Sequence, residues 1–194
     1  MDREKFDYIK KCYGHVASWA IWDEHDIRNL DIFDIEKNPK TLTKLKPQIV
    51  LVGLNISAPL EDKFSNFHDA EPGSSTTSLK KLRYALSGTP LEGAYMTDVI
   101  KYFVQSDSVN VKNYLKDNPK IELENVESFR KEIEYLGVDN QVIVAMGDAA
   151  KCILDRNLEH EYRIKKIPHY GLSPLSRNEK NYKENVEEKL SDIF

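Results

Sequence analysis

The chain has 194 residues, 40% hydrophobic and 31% charged, with a formal net charge of −4. These totals suit one globular domain with a substantial core and exclude a disordered or fibrous chain. The acidic balance does not advertise nucleic-acid binding for the molecule as a whole. Two cysteines, Cys12 and Cys152, form no pair motif, which excludes a disulfide framework or a four-cysteine cluster and fits a reducing cytoplasm. Cys12 and His15 carry half of a zinc spacing with no second half, so no metal is expected. No apolar run approaches membrane-spanning length, and Met1-Asp2-Arg3-Glu4-Lys5 lacks the apolar core of a signal segment. A soluble cytoplasmic protein is the expectation.

Residues 2 to 22 read as a helix, with Phe6, Ile9, Tyr13, Val16 and Ala20 at helical spacing. Trp19 and Trp22 near its end are expected in the core. A polar connection containing Asn38-Pro39 completes a helical amino-terminal segment, 1–45. The apolar run Ile49-Val50-Leu51-Val52, between Pro47 and Gly53, then predicts a strand at about 48–53, buried on both faces as in a parallel sheet. Gly53 permits a sharp exit, and Asn55 falls just past the carboxyl end, where open α/β sheets place ligands. By itself a strand followed by Gly-x-Asn is more simply a structural turn.

The stretch 58–78, centred on Phe64-Ser65-Asn66-Phe67-His68-Asp69, is a long loop of the kind that usually has a function. Leu79, Leu82 and Leu86 mark a short helix halted at Gly88. Gly93 to Ile100 reads as a second strand with Asp98 near its far end. Residues 104–122 read as loop or short helix, and Val126, Phe129, Ile133 and Leu136 as an amphipathic helix closed by Gly137. Gln141 to Asp148 is a third strand and turn, followed by a helix over 149–154. Tyr162 to Pro168 is a fourth strand ending at His169-Tyr170-Gly171, and a last helix spans about 178–190. The alternation predicts a single three-layer α/β/α domain over 1–194, its 46–190 core built on a central four-stranded parallel sheet.

In such a sheet all carboxyl ends share one rim, which here collects Asn55, Asp98, Gly147-Asp148 and His169, with Phe64, Phe67 and His68 on the loop above. Each has a plainer explanation. Asp148 serves as a helix N-cap, Asp98 as a turn cap and His169 as a core histidine. Joint placement favours a site. Six basic residues (Arg163, Lys165, Lys166, Arg177, Lys180, Lys183) against Glu161 and Glu179 give the last stretch either a positive field or a solvated face.

Four segments in order resemble the uracil-DNA glycosylase superfamily, over about 46 to 190. Gly53-Leu54-Asn55 is similar to the asparagine-bearing form of its first motif. Tyr95-Met96-Thr97-Asp98-Val99-Ile100-Lys101 resembles its Tyr-Ile-Thr-Asn-Val-Val-Lys strand. Val142 to Ala150 looks like its strand-Gly-x-x-Ala segment, and Ile167-Pro168-His169-Tyr170-Gly171 falls where it has His-Pro-Ser. The resemblance implies hydrolysis of a base–deoxyribose bond in a flipped nucleotide, without cofactor or iron–sulfur cluster, by a monomer whose partner is DNA or a free nucleobase or nucleotide. Asn55 would orient water and His169 would donate to the departing base. Gly53, Leu54, Asp98 and a stacking Phe67, or Phe64 in reserve, would hold the base, unless those rings anchor the loop. Leu172 or Leu175 would wedge the stack or else close the core, with Ser173, Arg177 and Lys166 against DNA. Tyr170-Gly171 replaces Pro-Ser, and Asp98 stands at the base-reading asparagine. An ionised Asp98 offers acceptors only, so it favours a base bearing an amine unless it is held protonated. A binding module that holds a nucleobase without cleaving it is the alternative.

Overall fold

The structure is a computed structural model that describes residues 1–60, 63–68, 77–171 and 178–193. The apolar run at 49–52 forms the middle of β2 (Lys46–Asn55). It lies between β3 (Ala94–Ile100), buried along its whole length, and β4 (Val142–Met146), both parallel to it. β5 (Arg163–Ile167) extends the parallel array beyond β4.

A fifth strand corrects the expected four. β1 (Ser18–Trp19) pairs antiparallel with β3, Ser18 opposite Met96, giving the order β1-β3-β2-β4-β5. The helix expected over 2–22 therefore stops early, as α1 (Arg3–Tyr13). Gly14 closes it by donating its N–H to the carbonyls of Ile9 and Lys10. Ala17 to Ile21 are then buried without interruption, which an extended segment inside a fold accommodates and a surface helix does not. Trp19 and Trp22 lie in the core, as expected.

Helices cover both faces of the sheet. α1, α4 (Ser108–Asp117), α5 (Pro119–Glu134) and α6 (Asp148–Leu158) pack on one face against Val50, Val52, Ile143 and Ala145. α3 (Thr77–Leu86) and α7 (Glu179–Lys189) pack on the other against Ile49, Leu51, Met96 and Val144. α2 (Thr41–Lys44) is a single turn leading into β2. The polar stretch expected as loop or short helix at 104–122 is mostly helix, because Asp107 caps Val109 N–H and Pro119 sits in the first turn of α5. Gly137, at φ +60°, ends that region as expected.

The connections decide where a ligand can enter. β2 leads to α3 on one face, while its neighbour β4 leads to α6 on the other. Adjacent strands whose exits part to opposite faces open a crevice at their carboxyl ends.

Candidate functional site

Strand alternation puts Gly53, Asn55 and Asp98 on the α3–α7 face, and Gly53 pairs directly with Asp98. The pair explains the glycine. A Cβ on Gly53 would run into Asp98 Oδ1 and would come within 3.5 Å of the Phe67 ring. Asp98 is 3% exposed, and Asn66 Nδ2 donates to its Oδ2 at 2.9 Å. Burial pushes its carboxyl up to about 6, opposed by the Asn66 hydrogen bond and the Lys101 charge. Among the described residues, nothing donates a hydrogen bond to Oδ1.

Asn55 ends β2 with its amide pinned. Its Nδ2 donates to the carbonyls of Ile56, Phe103 and Gln105 at 2.9, 3.1 and 2.7 Å. Those contacts fix which way the amide faces and leave Oδ1 as an acceptor without a partner among the described residues.

His169 follows β5 and packs its Cβ on Gly147, which sits at φ +96° where a side chain would be strained. Gly171 N–H donates to His169 Nδ1 at 3.0 Å. That bond occupies the Nδ1 lone pair, so the neutral ring carries its proton on Nε2, a donor with no acceptor among the described residues. Burial lowers the imidazole from its ordinary value, helped by the Lys81 charge, although the outer edge of the ring is exposed. Tyr170 stacks on the ring, centroids 4.6 Å apart, and its phenol is held above its ordinary value by burial and, to a lesser degree, by the Asp98 charge.

Asn66, Tyr170 and Gly171 carry this arrangement; the sequence marked Tyr170-Gly171 only as a replacement for Pro-Ser and assigned Asn66 no role. The only signal was a polar residue set between two phenylalanines in a loop. Phe64 and Phe67 both adopt left-handed backbone, φ +66° and +65°. Such positions cost non-glycine residues about 1–3 kcal/mol each and gather at functional sites. The turn is held by Phe64 N–H to Gly14, Ser18 Oγ to the Phe64 carbonyl and Trp22 Nε1 to the Phe67 carbonyl.

Other expected residues fall elsewhere. Leu54 packs on the opposite face, with the α5 and α6 side of the core. Phe64 is fully buried against Phe6 and Phe33, an anchor of the loop. Asp148 is the first residue of α6 and not its cap; Gly147 holds the cap position, and the Asp148 carboxylate pairs with Lys166 at 2.6 Å. Arg163 and Lys165 pair with Asp192, so the basic stretch is partly neutralised. Leu172, Ser173, Leu175 and Arg177 lie outside the described residues. Of five clefts of about 400 to 1050 Å³ among the described residues, one touches Asp148 and none touches Asn55, Asp98, Phe67 or His169; the largest of the five lies beside Trp22, Lys44 and Arg83 at the opposite end of the sheet.

Fold and site together define an α/β protein with polar side chains at the carboxyl ends of its parallel strands. No protein-family model, curated protein or solved structure matches the chain. No helix among the described residues is long and apolar enough to cross a membrane.

Proposed function

We propose that this protein is a uracil-DNA-glycosylase-like hydrolase, cleaving the bond between deoxyribose and an altered base turned out of the DNA. The observation that carries the reading is the pinned Asn55 amide. With Nδ2 committed to backbone carbonyls, Oδ1 is the atom left to accept a hydrogen bond from water and so orient it. An amide cannot deprotonate that water near neutral pH. It suffices for a sugar already made electrophilic by departure of the base, so slow turnover is expected. The neutral His169, whose Nε2 proton has no acceptor among the described residues, supplies the complementary group, a donor for negative charge growing on the leaving base. Phe67, beside Gly53 and buried at the edge of the core, would be the ring to stack on that base, unless it only anchors the loop as Phe64 does. A second reading, a module that holds a base without cleaving it, is favoured by the tether of Asp98 to Asn66. With one oxygen tethered and the side chain only 3% exposed, Asp98 is poorly placed to activate water as a base.

The test is a panel of labelled oligonucleotides, each with one uracil, hypoxanthine, thymine mismatch or modified cytosine, incubated with protein and then with alkali. Strand breaks are expected to fall about 10²-fold or more with Asn55→Ala and with His169→Ala, the scale on which positioned groups act. Binding without breaks would leave the binding module instead.

A further inference from the structure

We infer that Asn66 is a specificity-determining residue, which holds Asp98 with one oxygen to which no described residue donates and thereby selects a base with an exocyclic amine. The inference rests on the strand-end crevice proposed above as the base site, but it concerns which base is held, not whether it is cleaved.

Asn66 is 7% exposed and has no freedom to turn over. Its Nδ2 donates both to the Val16 carbonyl, at 2.8 Å, and to Asp98 Oδ2, at 2.9 Å. The flipped amide would set its oxygen against two acceptors. Phe64 and Phe67, on either side, hold strained backbone that the surrounding hydrogen bonds over-determine, so the turn fixes Asn66 as firmly as a strand would. Asp98 is left with one oxygen spoken for. The other lies against Gly53, where a side chain would displace it.

The groups facing this carboxyl set when it acts as an acceptor. Lys101, just past the end of its strand, favours the charge and Glu132 from α5 opposes it, both from the other face of the sheet, while the Tyr170 phenol is near enough to feel the carboxylate. Burial dominates and lifts the carboxyl to about 6. Above that value Oδ1 accepts from an amine; below it a protonated oxygen would instead donate to a carbonyl such as uracil O4.

The experiment is fluorescence anisotropy with the full chain and two duplexes that differ only in carrying cytosine or uracil opposite an abasic-site analogue. At about pH 7.5 cytosine should bind about tenfold tighter, the scale of one specific base contact. The ratio should shrink toward one by about pH 5.5 as Asp98 takes up its proton. Asp98→Asn should invert it, and Asn66→Ala should bring it near one at the higher pH. If Asn66→Ala melts below the assay temperature, the near-isosteric Asp98→Asn decides alone. Equal affinity or a uracil preference in the parent protein, no binding to either duplex, or an unchanged ratio in Asp98→Asn would overturn the inference. Alkali treatment of the same duplexes reads cleavage separately. A cytosine preference without strand breaks removes only the hydrolase reading, whereas breaks without preference remove only this one.

Discussion

At the scale of single residues, Gly53 and Asp98 are one unit. The glycine is required by a carboxylate oxygen lying where its Cβ would be, not by a positive φ. Gly53→Ala is expected to cost about 1–3 kcal/mol through overpacking of a buried strand. In the Asp98→Ala background that cost should largely vanish, a non-additivity that thermal melting of the four proteins would measure. Sequence reading found Gly53, Asn55, Asp98 and His169 because each sits at a strand exit that the apolar runs reveal. Asn66 escaped it. A buried asparagine in a loop has no period to betray it, and the left-handed backbone that shapes the turn falls on its phenylalanine neighbours, where sequence gives no sign of it.

At the scale of elements, β3 carries a second polar arrangement on the face opposite Asp98. Lys101 Nζ lies 2.5 Å from Glu132 Oε2 of α5, an ion pair by distance without hydrogen-bond alignment. The ammonium also donates to Thr97 Oγ1 at 2.7 Å, and Tyr95 OH donates to Glu132 Oε1 at 2.8 Å. Both charged side chains are almost fully buried. Lys101→Met should therefore destabilise the protein by about 3–5 kcal/mol by stranding the glutamate, while Lys101→Met with Glu132→Leu should cost far less. Chemical denaturation of the single and double variants would check this. Partners 31 residues apart cannot be paired by pattern, whereas β2, β3 and β4 could be read because their apolar runs are buried on both faces. β1 was missed for a related reason: two residues give no alternation to read, and Val16 and Ala20 happened to continue the spacing of α1.

At the scale of the whole molecule, two buried titrations oppose each other. His68 is enclosed by Trp22 and Phe33, and its Nε2 faces the Trp19 carbonyl at 3.2 Å, so Nε2 carries the proton. Burial drives its imidazole down to about 3. The folded state therefore refuses a proton that the unfolded chain accepts below about pH 6.5, and stability is lost as pH falls from there toward 3. Asp98 runs the other way: its folded value lies above the unfolded one, so its burial weakens the fold above about pH 6 and is relieved on acidification toward 4. By linkage the two amount to roughly 5 and 3 kcal/mol in order of magnitude. Relative to the parent protein, Asp98→Asn should gain stability at neutral pH and lose that advantage by about pH 4. His68→Gln should become relatively more stable as the medium is acidified. Denaturation midpoints across that range would separate the two.

The outer border of β5 has a bearing on how copies of this protein meet. Among the described residues nothing pairs with that border, so its main-chain donors and acceptors are an open template for another chain. Arg163, Lys165 and Lys166 line it. A neighbouring molecule sliding alongside would have to set like charges against one another and break their links to Asp192 and Asp148. The cations that make this stretch look like a phosphate-seeking surface therefore also act as a guard against runaway sheet growth, and exchanging them for threonine or valine would invite fibrous self-association.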